Sequence, residues 1–165
     1  VLTASDRSYK GEREDLSGKV LCGLIKENSA TVIGYKVLPD DKKMIANYLI
    51  YLSDNIQTDL ILTTGGTGVA PRDVTPEATL AVIERLVPGI PETLRAKSLR
   101  ISPNAMISRA VAGVRGRTLI INMPGSPKAV KECFEIVWEV IPHAMELISG
   151  KQTTCHPVED KNKKK

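Results

Sequence analysis

Asp59-Leu60-Ile61-Leu62-Thr63-Thr64-Gly65-Gly66-Thr67-Gly68-Val69-Ala70-Pro71-Arg72-Asp73-Val74-Thr75-Pro76-Glu77 carries the densest structural signal in this chain. A short apolar run, Leu60 to Leu62, breaks into three glycines within four residues; Arg72 and Asp73 follow, and Thr75-Pro76-Glu77 opens a helix. Strand, anion-sized loop, charged residues and helix N-terminus, in that order, are the layout of a phosphate or nucleotide site on an α/β sheet. Glycine lets main-chain N–H groups approach an anion with no Cβ in the way. Thr64 and Thr67 add hydroxyl donors. Pro76 suits the first helical position, with Thr75 as N-cap. Arg72 can fork onto a phosphate or pair with Asp73, and Asp73 can hold a divalent cation. The stretch matches neither G-x-x-x-x-G-K-[ST] nor G-x-G-x-x-G, and a tight strand-to-helix turn would use the same glycines.

Working outward, strand-like and helical patterns alternate. Val1 to Ala4 reads as the end of a first strand, Ser5 to Glu14 as a loop, and Leu16 to Asn28 as a helix by its apolar period. Thr31 to Leu38, β-branched and apolar, is a second strand; Pro39-Asp40-Asp41 ends it and caps a helix through Leu52. After the third strand, Asp59 to Thr64, the spacing predicts helices over Thr75 to Leu86 and Pro91 to Leu99, then a short one from Ser102 to Ser108. Ala110 to Val114 and Thr118 to Asn122, joined at Gly116, read as a hairpin. Ser126 caps one long final helix from Pro127, with Ala129, Cys133, Val137, Val140 and Ala144 as its buried stripe and Trp138 beside it. Strands alternating with helices predict an α/β fold with a mostly parallel sheet, into which the hairpin inserts one antiparallel strand. Residues 1–150 read as a single domain and 151–165 as a polar, flexible tail.

In open α/β sheets, ligands sit outside the carboxyl ends of the strands. Ser5-Asp6, Asp40, Gly65 to Asp73 and Asn122 to Ser126 all fall at that rim. Asp40 and Asp73 follow different strands, and two carboxylates facing phosphate-cradling glycines are what a magnesium-dependent nucleotide reaction needs. Asp40 as a helix N-cap is the alternative. The two histidines, His143 and His156, lie in the last helix and the tail, away from the rim. No G-x-S-x-G elbow is present, and Cys22 and Cys133 read as small core residues.

Composition narrows the class. The chain has 165 residues, with 42% hydrophobic, 25% charged and only 4% aromatic residues. The formal charge of +4 comes from Lys161, Lys163, Lys164 and Lys165; without them the balance is 19 basic to 19 acidic residues. A near-neutral body argues against a nucleic-acid binder. The absence of an apolar run of about 18 residues argues against a membrane span. Three cysteines without C-x-x-C argue against a disulfide framework and for the cytoplasm.

Thr63-Thr64-Gly65-Gly66-Thr67-Gly68, Pro71-Arg72-Asp73-Val74-Thr75-Pro76-Glu77-Ala78 and Asn122-Met123-Pro124-Gly125-Ser126-Pro127 together resemble the molybdenum-cofactor biosynthesis domain family. That family includes the bacterial molybdopterin adenylyltransferases and the G domains of gephyrin and its plant counterpart. The resemblance runs from Val1 to about Gly150. It implies a three-layer α/β/α sandwich, a homotrimer, and transfer of AMP from Mg-ATP to molybdopterin with release of pyrophosphate. The product then goes to the molybdate-insertion protein of the same pathway. The resemblance also implies residue roles. Asp40 and Asp73 match the family's essential aspartates, proposed to hold magnesium. Gly65, Gly66, Thr67, Gly68, Pro124, Gly125 and Ser126 match its nucleotide-side loops. Ser5, Asp6, Ser98, Ser108 and Asn122, with Thr67, match positions around the pterin and phosphate. The chain lacks the longer insertion that some members carry in the C-terminal helical region. A non-catalytic trimeric molybdopterin carrier or scaffold of the same fold is the second reading. A flavodoxin-like flavin binder is the third, and the scarcity of aromatics argues against it.

Overall fold

The computed structural model describes residues 1–150. The expected polar tail, with Cys155, His156 and the four lysines, lies outside the described residues. Six strands form one sheet in the order β2-β1-β3-β6-β5-β4: β1 Leu2–Ala4, β2 Lys36–Leu38, β3 Leu60–Thr64, β4 Arg85–Leu86, β5 Ala112–Arg115 and β6 Thr118–Met123. The β1–β2, β1–β3 and β3–β6 pairs are parallel; β5 pairs antiparallel with both β6 and β4. One strand, β5, therefore runs against the other five, and the hairpin turns at Gly116 with φ +53°. This is the mixed, mostly parallel sheet expected.

Alternation along the central strands builds the layers. Ile61 and Ile120 face one core with Leu2, Ile45, Leu49, Ala78 and Val82. Leu62, Leu119, Ile121 and Met123 face the other with Leu21, Leu94, Val130, Phe134 and Ile141. Helices α3 (Lys42–Ile50) and α4 (Thr75–Leu80) cover the first face. Helices α2 (Leu16–Glu27), α5 (Gly89–Ser98), α6 (Pro127–Trp138) and α7 (Ile141–Ile148) cover the second. Every residue of β6 is buried, as a parallel strand covered on both sides requires. Burying each such Leu or Ile contributes about 1.5–3 kcal/mol. Trp138 is half-buried and stacks on Phe134 with ring centroids 4.7 Å apart.

Five local expectations are corrected. Ser5 to Glu14 is not all loop: Asp6–Tyr9 forms a one-turn helix, α1, capped by the Ser5 hydroxyl. The second strand is shorter than Thr31 to Leu38, because β1 offers only three residues and their register begins at Leu2↔Lys36. The helix from Thr75 stops at Leu80, and Arg85–Leu86 becomes β4. The open edge of β5 outcompetes helix propensity there, since Glu84 N donates to Val114 O and Val87 N to Ala112 O. Gly113 permits it: a Cβ would lie 2.5 Å from Ile83 Cδ1 and 2.7 Å from Arg85 O. The final helix is two helices, because Pro142 lacks the N–H that would continue α6 and its ring opposes the Trp138 carbonyl. The break rotates the stripe to Val130, Cys133, Phe134, Val137 and Ile141, and Val140 turns outward. Thr75 is also not the N-cap; it is the first residue of α4, after Val74.

Candidate functional site

The chain moves from β1 outward to β2, then crosses back to β3 on the other side of β1, so the order reverses between β1 and β3. That reversal opens a crevice at the carboxyl ends of the two strands. A pocket of about 790 Å³ lies there, lined by Ser5, Asp6, Arg7, Arg13, Asp15, Asp40, Gly65, Gly66, Asp73, Gly125 and Ser126 among others. A second pocket, of about 520 Å³, is lined by Thr67, Gly68, Ser98, Ser102, Ser108, Asn122, Pro124, Ser126, Lys128 and Cys133 among others. Ser126 borders both.

The residues expected at the site thus divide by loop. Asp40 and Asp73 share the first pocket with Gly65, Gly66, Gly125 and Ser126. Ser5 and Asp6, expected with the pterin positions, stand with the aspartates instead. Gly68 and Pro124, expected on the nucleotide side, and Thr67, expected on both sides, line the second pocket with Ser98, Ser108 and Asn122.

Local folding frees Asp40. The N-cap of α3 is Asp41, whose carboxylate accepts from Met44 N at 2.8 Å, so Asp40 is not the cap. Its Oδ2 accepts from Asp6 N at 2.9 Å, and Asp6 Oδ1 accepts from Asp40 N at 3.0 Å. Asp40 Oδ1 is buried with no hydrogen-bond partner among the described residues. Burial pushes the Asp40 carboxyl above its ordinary range; the charges of Asp6 and Asp73 add to this, against the Asp6 N–H and Arg72. Arg72 pairs with Asp6 rather than Asp73, Nε and Nη2 donating to its two oxygens at 3.0 and 2.8 Å. That fork holds the Asp6 carboxyl below its ordinary range. Arg72 is thus committed to Asp6, and among the described residues Asp73 has no cationic partner; its Oδ2 accepts from Ala70 N at 2.9 Å.

The glycine loop is shaped around these carboxylates. At Gly66, φ is +62°, and a Cβ would lie 3.1 Å from Asp40 Oδ1 and 2.5 Å from Thr75 Oγ1. The Thr75 hydroxyl, like Asp40 Oδ1, is buried without a partner among the described residues. Two unpartnered polar atoms beside a glycine fit a site completed by a ligand. Among the described residues, no group of three or more His, Cys, Asp or Glu side chains is placed to hold a metal alone. Two carboxylates could still help hold a hard divalent cation whose remaining ligands came from substrate or water. The first turn of α6, capped by Ser126 Oγ on Ala129 N, adds N–H groups and a positive helix end at the rim.

Asn122 is fully buried and its side chain is committed inward. Nδ2 donates to Thr63 Oγ1 and Thr79 Oγ1, both at 2.9 Å, and Oδ1 accepts from Val111 N at 3.2 Å. Ser98 Oγ lies 3.8 Å from Cys133 Sγ, and burial pushes the Cys133 thiol up, away from nucleophilic behaviour.

Two features escaped the sequence reading. Asp15 caps α2 and gathers Gly18 N, Ser17, Thr3 and Tyr35 as donors at the pocket floor. Burial pushes its carboxyl up, but these hydrogen bonds outweigh burial and hold it low. An aspartate just before an apolar run is an N-cap signal that could have found it. Arg109, which clamps the glycine loop, carried no such signal.

The family described as "Probable molybdopterin binding domain" matches residues 1–143. A molybdopterin adenylyltransferase of Helicobacter pylori (strain J99) is 45% identical over 152 residues, covering 91% of this chain and 86% of that protein. The molybdenum cofactor synthesis protein cinnamon of Drosophila melanogaster is 45% identical over 150 residues, covering 90% of this chain and 25% of that longer protein. The crystal structure of the molybdopterin biosynthesis enzyme MoaB from Thermus thermophilus superposes with a TM-score of 0.86 at 48% identity, covering 91% of this chain and 94% of that one.

Proposed function

Because the chain belongs to the molybdopterin-binding domain family, we propose that it is a molybdopterin adenylyltransferase, moving AMP from Mg-ATP to the terminal phosphate of molybdopterin and releasing pyrophosphate. The observation that carries this is the pair of pockets meeting at Ser126, with Asp40 and Asp73 on one side and Ser98 and Ser108 on the other. A transfer between two substrates needs such a junction, where the acceptor phosphate meets the transferred one.

Residues 1–150 serve as one molybdopterin-binding unit. Asp40 Oδ1, unpartnered, and the Asp73 carboxylate, free of Arg72, are the residues to hold magnesium on the triphosphate. Magnesium held there would supply charge neutralisation to the phosphate being transferred. Gly65 and Gly66 let main-chain N–H groups approach phosphate, and the α6 N-terminus faces the same anion. Ser98 and Ser108 hold the pterin substrate by their hydroxyls. The reading includes a homotrimer, a cytoplasmic setting and delivery of the product to a molybdate-insertion protein. Among the described residues no helix is long and apolar enough to cross a membrane.

The test is pyrophosphate release from ATP with molybdopterin and magnesium, wild type against Asp73→Asn. Loss of release in the variant with molybdopterin binding retained supports the assignment. Wild-type turnover in Asp73→Asn would overturn the role of that carboxylate. Molybdopterin binding by the wild type with no ATP-dependent pyrophosphate release would replace the enzyme with the carrier reading.

A further inference from the structure

Arg109 lies between the Pro103–Ile107 3₁₀ turn and β5 and lines neither pocket. Its main-chain N–H donates to Thr67 O at 2.9 Å. Its guanidinium directs two nitrogens at the glycine loop and the third at the first turn of α4. Nε donates to Gly68 O at 2.6 Å, Nη2 donates to Asp73 O, and Nη1 pairs with Glu77 Oε1. A planar fork of fixed geometry thus ties the start, the end and the following helix of one loop together.

Asp73 is what this fork secures. The other bonds of Asp73 are internal to the loop: its N–H donates to Ala70 O and its Oδ2 accepts from Ala70 N, each at 2.9 Å. They fix the turn's shape but not its place on the sheet. Gly68 sets the packing, since a Cβ there would lie 2.8 Å from Asp73 Oδ2. Arg72 on Asp6 and Thr75 N on Gly66 O tie down the residues on either side; the Arg109 side chain holds the Asp73 main chain itself. The main-chain bond to Thr67, on the side of the other pocket, survives replacement of the side chain at 109 by alanine or lysine, which keep the N–H.

We propose that Arg109 is a positioning residue that sets the Asp73 carboxylate opposite Asp40 for the metal–nucleotide arm of the site. The proposal rests on the adenylyl-transfer reading above. Displacing a group that orients a metal-binding carboxylate costs about 10–100-fold in metal affinity or activity.

The experiment uses the intact chain. ATP binding is titrated calorimetrically over a series of magnesium concentrations, molybdopterin binding is measured separately, and pyrophosphate release gives kcat and KM. Arg109→Ala is expected to need about tenfold more magnesium for half-maximal ATP binding and to lose about 100-fold in kcat. Its molybdopterin affinity is expected to stay within about twofold, the spread of an uninvolved site. Arg109→Lys, which keeps a cation but loses the fork, is expected to recover about tenfold of kcat. A wild-type magnesium response in Arg109→Ala overturns the proposal. So does an equal fall in molybdopterin and ATP affinity, which would mark a general loss of loop structure. Should Arg109→Ala fail to fold, Gly68→Ala displaces the Asp73 carboxylate with Arg109 in place. It must reproduce the magnesium shift, and a wild-type response there also overturns the proposal. If the wild type releases no pyrophosphate, the adenylyl-transfer reading fails, and the magnesium–ATP titration still decides the role of Arg109.

Discussion

Gly65 presses against the carbonyl of Ala4: a Cβ at Gly65 would lie 2.3 Å from Ala4 O, and the residue holds φ at +92°. The ends of β1 and β3 therefore meet without a side chain between them, where the sheet order reverses and the first pocket opens. The obstacle is backbone, which cannot rotate away. Gly65→Ala is expected to lower unfolding free energy by about 3 kcal/mol from clash and left-handed strain, read by urea denaturation. Gly66→Ala meets side-chain oxygens instead, so its stability loss should be smaller, about 1 kcal/mol. It crowds Asp40, and pyrophosphate release should fall about 100-fold.

Asp40→Asn keeps an oxygen for the Asp6 N–H and removes a half-buried charge. A carboxyl whose folded pKa is raised carries its full cost above that pKa and none below the unfolded value. The metal-free variant should therefore be more stable than wild type at pH 7, by about 1 kcal/mol or less given solvent access on one side. The gain should shrink as pH falls toward about 4, near the ordinary carboxyl range. Adenylyl transfer should be lost in the same protein. Thermal melts across pH, paired with the activity assay, check both; a variant less stable than wild type at pH 7 contradicts the burial argument.

Asn122→Ala would strand the Thr63 and Thr79 hydroxyls and Val111 N–H beneath the second pocket. Leaving buried polar groups unpaired costs about 1–3 kcal/mol each, with some relief between the two threonines. A total of about 2–4 kcal/mol is expected, visible as a lower urea midpoint. Thermal stability near that of wild type would mean that the side chain serves a ligand rather than the sheet.

Removing magnesium with a chelator should abolish pyrophosphate release while leaving molybdopterin binding intact, because Asp40 and Asp73 lie only in the first pocket. Ser108→Ala should do the reverse in binding: molybdopterin affinity falls about tenfold, near 1.4 kcal/mol, and Mg-ATP affinity holds. Fluorescence or calorimetric titration of each ligand alone separates the two outcomes.

The motif from Asp59 to Glu77 held its layout because its signals are local: an apolar run, glycines where the chain bends back, and a helix start. Elsewhere local signals lost. Arg85 and Leu86 continue a helical pattern yet pair with β5, whose open edge offers hydrogen bonds that the pattern cannot reveal. Thr31 to Tyr35 look like a strand, but β1 begins only at Leu2, and Gly34 O meets the Val1 amino group just before it. Pro142 is a helix breaker legible in the sequence, although the apolar stripe around it continues a helical period.

The sequence by itself determined the alternation of strand and helix, the single reversed strand and the four rim loops. It also determined the placement of Asp40 and Asp73 on two of those loops, because apolar period, glycine and proline act over a few residues. Only the tertiary structure decided the partners. Arg72 goes to Asp6, which leaves Asp73 free; Asp41 takes the cap, which leaves Asp40 free; Arg109 reaches back to hold the glycine loop. The two arginine contacts join residues 32 to 66 positions apart. A side chain's partner at such separation depends on where the sheet brings its loops together, and no local spacing encodes that.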